Sequence, residues 1–255
     1  MAEYRVHHVM GMPVSIDVRD EGVALDPAFG WLARVDAVFS PFRADSEVSR
    51  LARGELALVD APPLVLEVFD RCEGLRAETG GSFDAHASGR FDPSGLVKGW
   101  AVDRAARLLE RAGARRFCIN AGGDVLARGG PWRVGIRHPH DPRSLAAVVS
   151  ISDAAVATSG AYERGEHILD PHRGRPPRGV LSVTVVGPAL ATADAYATAA
   201  FAMGEEGPAW TAGLRGHEAM TVLAGDRVLS TRGFAALTRP LSTRAPRPPA
   251  RSAPR

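Results

Sequence analysis

The chain has 255 residues, 45% of them hydrophobic, enough to bury a full core in one large domain or two small ones. Its 31 basic and 29 acidic residues nearly cancel and no basic face is sustained, which argues against a nucleic-acid partner. No run approaches the ~18 apolar residues of a spanning helix, and residues 1–8 hold no apolar stretch of signal-peptide length, so a cytoplasmic protein with no membrane insertion is expected.

Val14, Ile16 and Val18 alternate with Ser15, Asp17 and Arg19, which predicts an early strand. Asp26-Pro27 reads as an N-cap followed by proline at the first helical position, opening a helix that buries Leu32, Val35 and Val38. A longer helix is predicted over 63–79, with Leu64, Val68, Cys72 and Leu75 on one side and Gly80-Gly81 ending it. The only cysteines, Cys72 and Cys118, sit among apolar neighbours and read as buried thiols rather than a disulfide or a metal pair. The next helix is predicted over 98–112, with Ala101, Val102, Ala105, Leu108 and Leu109 as its apolar face and Gly113 as its C-cap. A strand over 117–119 stops at Asn120-Ala121-Gly122-Gly123-Asp124. Val/Ile-rich strands follow over 132–136, 146–151 and 181–186. Thr192 is expected to cap a helix ending at Met203-Gly204, and strands over 219–223 and 227–230 to turn at Gly225-Asp226. From Arg239 the chain is Pro, Arg, Ser and Ala with almost nothing to bury. The expected organisation is therefore one domain over 1–238 and a disordered tail over 239–255. The interleaving predicts a mixed α/β (α+β) fold, with sheets covered by helices in one unit.

Two segments carry most of the chemistry. In Phe91-Asp92-Pro93-Ser94-Gly95-Leu96-Val97-Lys98-Gly99-Trp100 a carboxylate, a glycine turn and a lysine stand at a helix entrance, where backbone N–H groups attract anions. Lys98 there can set a point charge on a phosphate, or be a surface lysine after an ordinary loop. In the second, Asp194 and Thr198 lie four apart on one helix face, so a carboxylate and a hydroxyl fit a Mg²⁺ site, or else a capped first turn. His167, ahead of an apolar Ile168-Leu169 strand and an Asp170-Pro171 stop, has the character of a general base or of a structural imidazole. Thr158-Ser159-Gly160 offers hydroxyls to a phosphate or caps a turn, and 120–124 permits close backbone approach or is a simple turn.

Taken in order, eight motifs resemble the ApbE-like FAD:protein FMN transferase family. They are Met10-Gly11 with Pro13; Ser40-Pro41-Phe42 with the segment 46–51; Gly81-Ser82-Phe83-Asp84; Lys98-Gly99-Trp100-Ala101 through Ala105; Asn120 through Asp124; Ala157 through Gly160; His167 through Pro171; and Ala193 through Ala199. The resemblance spans roughly residues 8–232 and implies an enzyme that moves FMN from FAD to a threonine or serine hydroxyl of a target protein, releasing AMP. It implies FAD contacts at Met10, Phe42, Ser82, Phe83, Asp84, Asp92, Lys98 and Ile168. It implies Mg²⁺ between the Gly95 carbonyl and the side chains of Asp194 and Thr198, and base chemistry at His167 with charge neutralisation by Lys98. Phe42 stands where the family usually has tyrosine. Only 85–91 separates Asp84 from Asp92, shorter than usual, and the usual threonine after the Phe-Asp pair is absent from Ala85-His86-Ala87-Ser88. The same site would serve a Mg²⁺-dependent FAD pyrophosphatase, and a non-catalytic FAD-binding protein is the third reading.

Overall fold

In the computed structural model, which describes residues 2–161, 165 and 168–238, the chain builds three layers. The middle layer is an eight-stranded sheet in the order β1 (Glu3–Val9), β2 (Met12–Val18), β3 (Phe117–Ala121), β4 (Asp124–Arg128), β7 (Ala154–Gly160), β8 (Val180–Gly187), β9 (Glu218–Leu223) and β10 (Val228–Ser230), every neighbour antiparallel. The remaining strands, β5 (Trp132–Arg137) and β6 (Leu145–Ile151), form a separate antiparallel pair. Strand alternation assigns the faces. Leu126, Ala155, Ala157, Val183 and Val185 join Val14, Ile16 and Val18 beneath the helices. Their sequence neighbours Val125, Ala127, Val156 and Val186 point the other way and pack on Val134, Ile136, Val149 and Ile151 of β5 and β6. Burial on both faces is why β4 and β8 are apolar almost without interruption.

The helical layer holds α1 (Asp26–Phe39), α2 (Glu47–Ala52), α3 (Pro63–Glu78) and α4 (Ser94–Arg111), then α5 (Leu190–Ala202) and the short α6 (Gly207–Thr211); α7 (Phe234–Leu237) closes the described chain. Proline at the start of α1 and α3 and glycines of positive φ after α3 and α4 terminate these helices where the sequence places them. Leu32 and Val35 are buried as expected, Val38 only partly, and on α3 Val65 takes the fully buried place expected for Leu64.

Four local expectations change. Asp26 is the first residue of α1 and does not cap it; its carboxylate pairs with Arg5 of β1. α4 begins at Ser94, so Lys98 lies one turn inside the helix rather than at its entrance. Thr192 lies inside α5, which has no side-chain cap from its own segment. Residues 168 and 169 are not a strand; Asp170, 4% exposed, accepts hydrogen bonds from the His172 backbone and the Arg173 guanidinium. The tail over 239–255 lies outside the described residues. Among the described residues no helix is long and apolar enough to cross a membrane.

Candidate functional site

A cavity of about 460 Å³ opens where the β1–β2 turn, the end of α1 and the segment after α3 meet the starts of α4 and α5, a size typical of small-molecule sites. Met10, Phe42, Ser82, Phe83, Asp84, Asp92, Gly95, Lys98, Ile168, Asp194 and Thr198 all line it. His167 lies outside the described residues.

Local rules explain how the walls are built. Met10 and Gly11 have φ of 56° and 70°, the paired positive values of a two-residue hairpin turn, and Val9 pairs with Met12 across it. After α3, Thr79 Oγ1 donates to the Leu75 carbonyl (2.8 Å) and accepts from the Phe83 backbone N–H (2.9 Å), folding the chain back so that Ser82 and Phe83 turn inward. Asp84 accepts the His86 N–H at 2.7 Å and lies 3.4 Å from Arg76 Nε. Asp92 accepts the Ser94 N–H at 3.1 Å, a side-chain turn that leads into α4. Phe42, on the loop between α1 and α2, is 91% exposed at the rim.

The floor is the crossing of α4 and α5. Gly99 lets the two backbones approach so closely that a Cβ there would lie 2.5 Å from the Leu190 carbonyl oxygen. Asp103, one turn further on, accepts the Leu190 and Ala191 N–H groups at 2.9 Å each, capping α5 from another helix. α4 thereby holds in place the helix that carries Asp194 and Thr198. Lys98 reaches down between two buried carboxylates, 2.5 Å from Asp124 Oδ2 and 3.4 Å from Asp194 Oδ1. Burial opposes the Lys98 charge, but Asp124 and Asp194 together outweigh it and raise its pKa. One ammonium does not neutralise two carboxylates: burial pushes Asp194 up to about 7, with Lys98 opposing and the Asp124 charge adding to the rise.

The donor set fits a hard cation. Among the described residues Asp194 Oδ2 is buried without a hydrogen-bond partner. Thr198 stands one turn along the same helix, its Oγ1 3.3 Å from Ser159 Oγ. Gly95 lies against it, since a Cβ at Gly95 would be 3.7 Å from Thr198 Oγ1. A carboxylate, a hydroxyl and a backbone carbonyl are oxygen donors of the kind Mg²⁺ takes, with room left for water or phosphate. Among the described residues no three His, Cys, Asp or Glu side chains converge on a point, so a cation here would depend on that mixed set.

The sequence singled out the two chemistry-bearing segments, 91–100 and 194–198, and the structure brings them together on this floor. It did not single out Asp124 or Asp103. Asp124 was visible only as the end of the 120–124 turn, and Asp103 only within the motif from Lys98 through Ala105. Thr158 and Ser159 belong to strand β7 rather than to a turn; the Thr158 N–H donates to Asp124 Oδ1 (2.9 Å) and its hydroxyl meets Thr184 (2.9 Å). The two thiols are free, Cys72 buried and Cys118 partly so.

Fold and site define an α/β protein with a ligand cavity over a cation-fitting, acidic floor. The sequence profile of the ApbE family matches residues 10–90 and 85–221. An FAD:protein FMN transferase of Vibrio cholerae is 38% identical over 130 residues, 45% of this chain and 39% of that protein. One of Treponema pallidum is 31% identical over 221 residues, 74% of this chain and 61% of that protein. This chain thus spans less than two thirds of the length of these curated relatives, from 37% to 61%. Two solved structures share the fold: an ApbE protein of Thermotoga maritima (TM-score 0.84, 22% identity, 94% of this chain and all of that one) and the flavin transferase ApbE of Vibrio cholerae (TM-score 0.81, 24% identity, 93% of this chain and all of that one). The chain belongs to the ApbE family.

Proposed function

We propose that this protein transfers FMN from FAD to a Ser or Thr hydroxyl of a target protein, releasing AMP, and that it needs Mg²⁺. The observation that carries the reading is the meeting of Gly95, Asp194 and Thr198 beside Lys98 at the floor of one cavity. The relatives named FAD:protein FMN transferase support it.

The acceptor hydroxyl oxygen attacks the phosphorus on the FMN side of the pyrophosphate. A phosphoester forms, the bond to the AMP oxygen breaks, and AMP leaves with that electron pair. The hydroxyl proton goes to His167, a role that rests on the sequence resemblance. Lys98 offers the N–H not directed at Asp124 or Asp194 to a phosphate oxygen, and the start of α4 adds its partial positive charge. Magnesium, when bound at Asp194, Thr198 and the Gly95 carbonyl, would neutralise charge on the phosphoryl oxygens. Phe83 and Phe42 supply apolar surface for a flavin or adenine ring.

The test is incubation with FAD, Mg²⁺ and a flavoprotein bearing a Ser/Thr acceptor motif, reading AMP release and flavin fluorescence on the denatured acceptor. Asp194→Ala should lower transfer by about 10²-fold or more. Transfer near the wild-type rate in that variant would remove the metal role from Asp194. Equally fast AMP release without acceptor would make the protein an FAD pyrophosphatase.

A further inference from the structure

Asp124, buried behind Lys98, has no part in that reaction, yet it makes the closer of the two Lys98 ion pairs. Its Oδ2 lies 2.5 Å from Lys98 Nζ, whereas Asp194 Oδ1 stands off at 3.4 Å. Asp124 cannot follow the ammonium. It starts β4 after a turn in which Gly122 and Gly123 have φ of 60° and 103°, it is 2% exposed, and its Oδ1 accepts the Thr158 N–H of the neighbouring strand at 2.9 Å. Among the described residues Oδ2 of both carboxylates is buried without a hydrogen bond, but that of Asp124 meets the ammonium at 2.5 Å while Lys98 stands further off from Asp194.

We propose that Asp124 is a positioning residue: it draws the Lys98 ammonium off Asp194 and so keeps Asp194 open to a divalent cation. This rests on the reading of Asp194 as a cation ligand. Without the Asp124 charge, Asp194 becomes the only buried carboxylate among the described residues that pairs with Lys98. The ammonium then closes on it and fills the cation's place with a charge from the chain itself. Asp124 thus acts on the cation through a lysine, not as a ligand.

The experiment uses the whole chain and Mg²⁺ alone, without FAD, so that catalysis does not enter. Mg²⁺ binding is measured by calorimetric titration and by the Mg²⁺-induced rise in Tm. Asp124→Asn should weaken Mg²⁺ binding about 10–100-fold, the usual effect of removing a group that orients a metal's ligand set. Adding Lys98→Met to that variant should restore affinity to within about threefold of wild type, because the competing ammonium is gone. Lys98→Met alone should bind Mg²⁺ at least as tightly as wild type, an expectation that stands even where Asp124→Asn fails to fold. Wild-type Mg²⁺ affinity in Asp124→Asn, no recovery in the double variant, or weaker binding in Lys98→Met would each overturn the proposal. No recovery would make Asp124 a direct ligand. Wild-type affinity in Asp194→Asn would instead sink the metal reading itself, and the role of Asp124 with it.

Discussion

Replacing Gly99 with alanine tests the joint between α4 and α5. The added Cβ would stand 2.5 Å from the Leu190 oxygen and 2.8 Å from the Ala191 Cα, both backbone atoms with no rotamer to escape into. Non-bonded atoms settle at about 3.5 Å, so the helices must part by roughly 0.7–1 Å. The two 2.9 Å hydrogen bonds from Leu190 and Ala191 to Asp103 span the same gap and would stretch past their working length. Losing bonds to a charged acceptor costs about 1.5–3 kcal/mol each, and overpacking about 1–3 kcal/mol. With partial relaxation the expected loss is about 4 kcal/mol, a fall in Tm of about 8–16 °C for a domain of this size. Asp194 would shift with α5 away from Gly95, and a displacement near 1 Å lowers transfer by about 10²-fold. Thermal melts check the first effect, and AMP release with an acceptor present checks the second. Gly74→Ala is the control of opposite sign: it sits inside α3 with nothing within 4 Å of a Cβ, so it should add about 0.5–1 kcal/mol. A Gly99→Ala protein melting within about 2 °C of wild type would refute the close approach.

The Asp194 proton sets two opposed pH dependences. In the metal-free protein the folded state holds it up to about 7, whereas the unfolded chain loses it near pH ~3.9. Between those limits the folded state binds the extra proton, so this group's contribution makes stability fall as pH rises. Mg²⁺ requires the ionised form, so its affinity should climb about tenfold per pH unit below about pH 7, and the Mg²⁺-induced Tm rise should be larger at pH 8 than at pH 6. Equal rises at both would count against Asp194 as a ligand. Burial pushes the Cys72 thiol up to about 12 and the Cys118 thiol up to about 11, so neither should react quickly with a disulfide reagent at pH 8 until the chain is unfolded. Phe42→Ala removes a ring that is 91% exposed; it should leave Tm nearly unchanged and weaken FAD binding by about tenfold, read by quenching of flavin fluorescence. An unchanged FAD affinity would take Phe42 out of the binding surface.

What the sequence settled alone is local. Alternation at Val14, Ile16 and Val18, proline at Pro63, and glycine after α3 and α4 act within a few residues, and each element stands where those signals put it. The Gly225-Asp226 turn has both φ values positive, as a tight hairpin needs. The order of the motifs carried the family and most of the cavity wall. Tertiary structure decided what depends on partners far along the chain. β1 and β7 are strands because neighbours supply their hydrogen bonds: β1 is largely exposed and β7 is rich in alanine, so neither has a strong pattern of its own. The cap of α5 comes from Asp103, 87 residues before Leu190. Lys98 finds its counter-ion in Asp124, across a helix–sheet contact that no spacing encodes. Helix and turn propensities act through the nearest few residues, whereas a buried charge finds its partner only once the layers have packed.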